Sequence, residues 1–310
     1  MQTRGTAGSS REQWPFRGVL APALTPFTED LQPDRAAFVA FCAWLLEQGA
    51  DGLAVFGTTS EANSLSFAER TALLEYLVAN RIPGRLLMPG TGACSVPEAV
   101  QLTKSALDVG AGGVLVLPPF YYKNVPEDGV FAYYAEVIER IGRSDLRLFL
   151  YHTPQMSGVP ITPALIARLR SAYGNVIAGL KDSSGVWDNV ALLLREFPDI
   201  AIFPASEKFL LPALRLGAAG CISATANFQA GSIRKLINAA EGDDRARIDV
   251  EIGRVRSIFE HYPLVPALKA AMASKFGRDS WRIVRPPLSM LAGDRHAELL
   301  AALGLQQGAA

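Results

Sequence analysis

Short apolar runs alternate with longer amphipathic segments along most of the chain, and this alternation is the strongest constraint on its fold. The runs lie at 18–24, 52–56, 86–89, 113–117, 147–151, 176–180, 201–204 and 220–223. They are apolar almost throughout rather than at every second residue. That is the pattern of strands covered on both faces. Eight strand–helix units is the number a closed parallel barrel requires, so the expected fold is an α/β chain forming a (β/α)8 TIM barrel. A doubly wound open sheet is the rival. It needs a reversal of strand order, and eight regular repeats favour closure.

Helix signals fall between the runs. Asp34 opens a segment that stops at Gly49, and Ser66 with Glu69 has the form of a capping box. Ser95 precedes a segment ending at Gly110, and Thr162 precedes Pro163, a cap followed by proline in the first turn. After about Phe228 the alternation gives way to successive helices. The expected organisation is a loose tail over 1–14, the barrel over 15–243 and a helical appendage over 244–310. With 49% hydrophobic and 19% charged residues, a 310-residue chain can bury a core of that size.

Several function classes are disfavoured. Lysine plus arginine equals aspartate plus glutamate at 30 each, which leaves no whole-molecule field for nucleic acid or an anionic membrane. Cys42, Cys94 and Cys221 are far apart, so neither a disulfide framework nor a zinc site is expected, and a reducing compartment suits them. The first fourteen residues lack the apolar centre of a secretory signal, and no apolar run is long enough to span a bilayer. The expected compartment is the cytoplasm. No glycine-rich phosphate loop and no histidine–carboxylate metal spacing occurs, so no metal or separate cofactor is expected.

A parallel barrel carries its chemistry at the C-terminal ends of its strands. Lys181 ends the run Ile177-Ala178-Gly179-Leu180, so its stem enters the barrel mouth. Desolvation there disfavours the ammonium, and a neutral amine is what attack on a ketone needs. Tyr151 stands one strand earlier at the same height, where a phenol can relay protons. Thr58 and Thr59 follow the second run and offer hydroxyls and backbone N–H groups to a carboxylate. His152, next to Tyr151, faces the other side of its strand. Each side chain alone also has an ordinary reading: a snorkelling lysine, a core tyrosine, a capped turn.

Taken together, Gly57-Thr58-Thr59-Ser60-Glu61, Tyr151-x-x-Pro154 with Gly158, and Lys181 resemble the dihydrodipicolinate synthase / N-acetylneuraminate lyase superfamily. The likeness runs from about Phe16 to the helical tail. It implies a Schiff base between Lys181 and pyruvate, with no other cofactor. It implies that Tyr151 relays protons, that Thr58 bonds Tyr151, and that Thr59 holds the pyruvate carboxylate. Tyr121 matches a tyrosine that completes the neighbouring subunit's site, which implies a homo-oligomer, a dimer of dimers. Ile222 matches a residue lining the Schiff-base pocket.

The departures narrow the subgroup. Dihydrodipicolinate synthases resemble Tyr-x-x-Pro-x-Arg-x-Gly here, and the arginine holds the aldehyde's carboxylate. This chain has Met156 at that place, and loss of such a charge-assisted pair costs roughly 1.5–3 kcal/mol. Ser157-Gly158-Val159 is similar to the sialic acid lyase loop. Lys181-Asp182-Ser183 is similar to aldolases and dehydratases of 2-keto-3-deoxy sugar acids or 4-hydroxy-2-oxo acids, where Ser183 would bond a substrate hydroxyl. Ala205, Glu207 and Lys208 follow the seventh run at substrate-selecting positions. Lys208 stands where sialic acid lyases are acidic, and Ala224 replaces a hydroxyl. These changes imply a shorter substrate with a distal anionic group near Lys208, unless Lys208 is a solvated residue at a helix start. Ser60 replaces the usual glycine. The expected function is a class I lyase, aldolase or dehydratase, acting on such a 2-oxo acid. The alternatives are 4-hydroxy-tetrahydrodipicolinate synthase and a non-catalytic 2-oxo-acid-binding homologue.

Overall fold

A computed structural model describes residues 14–305. The loose tail expected over 1–14 therefore lies, Trp14 apart, outside the described residues. The elements run β1 (Gly18–Ala21), α1 (Arg35–Glu47), β2 (Gly52–Leu53), α2 (Phe67–Ala79), α3 (Val96–Asp108), β3 (Val114–Val116) and α4 (Glu127–Ile141). There follow β4 (Leu148–His152), the one-turn α5 (Pro154–Ser157), α6 (Pro163–Tyr173), β5 (Ile177–Asp182), α7 (Trp187–Glu196), β6 (Ala201–Pro204), α8 (Leu210–Arg215) and β7 (Gly220–Ile222). Helices α9 (Ala226–Asn238), α10 (Asp243–Glu260), α11 (Leu264–Phe276) and α12 (Gly293–Leu303) complete the chain.

The helix starts follow their caps. Asp34 accepts from the Ala37 N–H, Ser95 from Glu98 and Thr162 from Leu165, and the Ser66–Glu69 capping box is complete in both directions. Each satisfies amide donors that the helix itself leaves unpaired.

All strand pairings are parallel, in the orders β2-β1-β7 and β3-β4-β5-β6. The run expected at 86–89 is not a regular strand. It begins in a 3-10 turn (Gly84–Leu86) and contains Pro89, which has no N–H to give. It still closes the wall. Met88 N–H donates to Leu53 O at 2.8 Å, Gly112 N–H to Leu87 O at 3.1 Å, and Leu115 N–H to Pro89 O at 2.9 Å. On the other side Ala219 N–H donates to Ile202 O at 3.0 Å and joins β6 to β7. The eighth wall segment is thus held by single bonds rather than a ladder, and the sheet closes into a TIM barrel.

Two apolar clusters follow from the alternation of side chains. Leu20, Met88, Leu115, Phe149, Phe203 and Ile222 fill the barrel interior. Val19, Leu53, Val114, Leu150, Leu180 and Ile202 face the helices. Gly179 makes room for the Phe149 ring: a Cβ there would lie 2.6 Å from Phe149 ring carbons and 2.3 Å from Ala201 O. Helix α10 packs on α9 and on the turn Glu207–Phe209, which brings the tail to the barrel mouth. No described helix is long and apolar enough to cross a membrane.

Candidate active site

A cavity of about 180 Å³ opens at the C-terminal ends of the strands. Lys181 and Tyr151 line it, and both are buried, at 4% and 6% exposure. Tyr151 and Lys181 are register partners on β4 and β5, so their side chains leave the same face of the sheet. Lys181 Nζ lies 4.4 Å from the centroid of the Tyr151 ring. Burial raises the phenol pKa, but the Lys181 charge and hydrogen bonds from Thr58, Ser183 and Lys181 outweigh it and draw it below the usual tyrosine value.

The loop after β2 supplies the threonines. Thr58 Oγ1 is 3.4 Å from Tyr151 Oη, and Thr59 is buried at the cavity wall. This loop is bracketed by two left-handed residues, Phe56 (φ 59°) and Glu61 (φ 56°). Such a conformation persists for a side-chain-bearing residue only where the surroundings enforce it. Glu61 is enforced: its carboxylate pairs with the fully buried Lys269 of α11 and accepts the Arg285 N–H at 3.0 Å. Ser60, in place of a glycine, is buried and spans back to the first strand's loop, donating to Ala23 O at 2.5 Å.

The turn after β4 explains Pro154 and Gly158. Pro154 sits in the first turn of α5, and Gly158 caps it with φ 66°, the left-handed region that glycine enters without steric cost. His152 faces away from the cavity, accepting the Ile161 N–H at Nδ1 (3.0 Å); burial lowers its pKa, against the pull of Asp182. Asp182 also lines the cavity, and its carboxylate accepts hydrogen bonds from the Ser184 N–H, the Ser184 hydroxyl and the Asn189 amide.

Of the other expected site residues, Ile222, Ser183, Ala205 and Met156 line the cavity, with Met156 at its exposed rim. Three do not. Ser157 is fully buried, its hydroxyl bonded to the backbone at Thr153 O and Val159 O, so it shapes the turn instead. Glu207 turns inward, where Thr225 donates to it and Arg256 lies at 3.6 Å. Lys208 stands at the surface outside the cavity lining and pairs with Glu260 on α10. Tyr121 is 75% exposed and packs edge-on against Tyr122, outside the cavity of its own chain.

Sequence reasoning missed Arg256, Gln155, Ser206, Phe209 and Leu264, all of which line the cavity. Arg256 had a faint signal. It follows Val255 and stands four residues after Ile252, both buried, and so lies at the edge of the buried stripe of α10. Among the described residues, no group of three or more His, Cys, Asp or Glu side chains could hold a metal ion.

The Dihydrodipicolinate synthetase family model matches residues 15–306. The chain is 36% identical to an uncharacterised DapA-like lyase of Chloroflexus aurantiacus over 92% of this chain and 95% of that one. It is 32% identical to a 4-hydroxy-tetrahydrodipicolinate synthase of Synechococcus sp. CC9605 over 96% and 98%. Among solved structures it is similar to dihydrodipicolinate synthase from Agrobacterium tumefaciens, with TM-score 0.86, 34% identity and coverage of 93% and 98%. It is also similar to YagE of Escherichia coli K12, of the dihydrodipicolinic acid synthase family and in complex with pyruvate, with TM-score 0.84, 29% identity and coverage of 94% and 99%. With family match, fold and mouth-facing lysine in agreement, the chain belongs to the dihydrodipicolinate synthetase family and is a lyase of the class I pyruvate aldolase type.

Proposed function

We propose that this lyase captures a short 2-oxo acid as a Schiff base on Lys181 and breaks the bond between C3 and C4. The observation that carries this reading is the buried Lys181 amine beside the Tyr151 ring in one cavity. The amine attacks C2, Tyr151 gives its proton to the departing C2 hydroxyl, and water leaves to give a protonated imine and a tyrosinate. The C4 hydroxyl then passes its proton to Tyr151, C3–C4 breaks to release an aldehyde, and the electron pair is held as an enamine. Protonation at C3 and hydrolysis return pyruvate and free Lys181. If the C4 hydroxyl leaves instead, the same imine supports dehydration. Thr58 orients the phenol, and Thr59 holds the C1 carboxylate.

A cavity of about 180 Å³ is well below the roughly 300 Å³ of larger ligand sites, which favours a short substrate. Ser183 at the wall suits a substrate hydroxyl. Tyr121, exposed in the single chain, is read as the group that enters a neighbour's site in a homotetramer. The three free thiols suit the cytoplasm. Condensation of pyruvate with aspartate semialdehyde is the second reading, favoured by the synthases among the relatives and disfavoured by Met156.

Borohydride with saturating pyruvate should add a reduced three-carbon adduct to the Lys181 peptide, read by mass. Absence of that adduct rejects the mechanism. A coupled reductase assay with aspartate semialdehyde separates the second reading.

A further inference from the structure

We infer that Arg256 receives a second carboxylate at the far end of the substrate, so that the preferred substrate is a dicarboxylic 4-hydroxy-2-oxo acid. This rests on the reading of Lys181 as the imine-forming amine. Lys181 and Arg256 are the two cationic side chains lining the cavity, and Lys181 is consumed in the imine. Arg256 reaches the cavity from α10, outside the barrel wall.

Its guanidinium is held in place. Nε donates to Glu260 at 2.9 Å, and Nη1 donates to Ala205 O and Ser223 Oγ, each at 3.3 Å. Among the described residues nothing hydrogen-bonds Nη2. The side chain is 14% exposed, so a group that meets it is largely removed from water. A guanidinium offers donors only, and a carboxylate is the acceptor that suits it.

The neighbouring charges permit this. Glu207 is buried behind the guanidinium and does not line the cavity, and Lys208 offsets Glu260. Asp182, the one carboxylate lining the cavity, is turned to Ser184 and Asn189, from which it accepts three hydrogen bonds. An incoming carboxylate therefore meets a fixed donor at Arg256, while Asp182 at the wall is held by three hydrogen bonds of its own.

The test compares two five-carbon probes, 4-hydroxy-2-oxopentanedioate and 4-hydroxy-2-oxopentanoate, which differ only in a terminal carboxylate or methyl group. Pyruvate release is followed for both. The parent should favour the diacid in kcat/KM by about ten- to a hundred-fold, the worth of a charge-assisted hydrogen bond. Arg256→Gln should remove most of that preference, chiefly through KM, and Arg256→Lys should restore part of it. Equal kcat/KM in the parent, or a preference that survives Arg256→Gln, overturns the assignment. Faster turnover of a six-carbon 2-keto-3-deoxy sugar acid with a neutral hydroxyl end also overturns it. Reductive trapping of pyruvate on Lys181 is run on every variant. Failure in the parent rejects the Schiff-base reading itself, whereas trapping without diacid preference rejects only the role of Arg256. Should Arg256→Gln fail to trap, the parent ratio and Arg256→Lys still decide.

Discussion

Tyr151 and Lys181 are paired across β4 and β5, and the Lys181 amine lies 4.4 Å from the centre of the Tyr151 ring. One register therefore places both reacting groups on one face, and a slip of either strand by one residue would leave them on opposite faces. Tyr151→Phe keeps the ring and removes the proton relay. It should lower kcat by about a hundred- to ten-thousand-fold, the usual worth of general acid–base catalysis. Steady-state pyruvate release checks this, and a loss below ten-fold would remove Tyr151 from the proton path.

The same pair has a spectroscopic consequence. Burial raises the Tyr151 pKa while the Lys181 charge and local hydrogen bonds lower it, with a net downward shift. Subtracting the tyrosinate titration of Tyr151→Phe from that of the parent isolates Tyr151, which should ionise below the ordinary tyrosine range of about 10. In Lys181→Met the cation is gone and burial remains, so the ionisation should move up. An unchanged midpoint would contradict the electrostatic coupling.

How far this arrangement was legible depends on where each residue sits along the chain. Lys181 and Tyr151 were legible because a polar residue closing an apolar run has one place to go in a parallel barrel. Lys208 stayed open between a substrate contact and a solvated helix start because sequence gives its position after β6 but not its rotamer, and Glu260 lies 52 residues away. Arg256 was passed over because α10 read as an appendage, and its approach to the mouth is a tertiary contact. The segment at 86–89 looked like a strand by composition, yet the turn before it and Pro89 reduce it to isolated bonds.

Acid stability should depend on Glu69. Hydrogen bonding from Arg285 draws its pKa from 4.5 down to about 2, against a smaller opposing effect of burial. A folded pKa below the unfolded value stabilises the native state above about pH 4.5, and that contribution fades as pH falls towards 2. Glu69 is partly exposed, so solvent screening trims the effect to about 1–2 kcal/mol. Urea unfolding of Glu69→Gln should show that deficit at pH 7, shrinking steadily below pH 4.5. A deficit constant with pH would mean the carboxylate's ionisation is not what stabilises.

Gly179 should not tolerate a methyl group. The added carbon would meet Ala201 O at 2.3 Å and the Phe149 ring at 2.6 Å. The ring can tilt, but the oxygen belongs to the neighbouring strand's backbone. Gly179→Ala should cost about 1–3 kcal/mol, typical of overpacking. Phe149→Leu in the same chain should recover only part, because the backbone clash remains. Full recovery in chemical denaturation would place the strain in the ring alone.

The pair Glu61–Lys269 joins the threonine loop to α11 with both side chains fully buried. Removing one partner of such a pair strands the other charge and costs about 3–5 kcal/mol, whereas replacing both can be nearly neutral. Lys269→Met should therefore destabilise strongly, and adding Glu61→Leu should recover much of the loss. Activity should not recover with it. Glu61 also accepts the Arg285 N–H and occupies the left-handed position that ends the Thr58–Thr59 loop. Leucine supplies neither the acceptor nor a preference for that conformation, so the threonines lose their anchor while the core stays packed. The double variant should be clearly more stable in denaturant than Lys269→Met alone yet show a raised KM for pyruvate exchange, because Thr59 is the group assigned to the C1 carboxylate. A double variant with parental stability and parental KM would show that the buried pair holds the fold alone and leaves the loop to position itself.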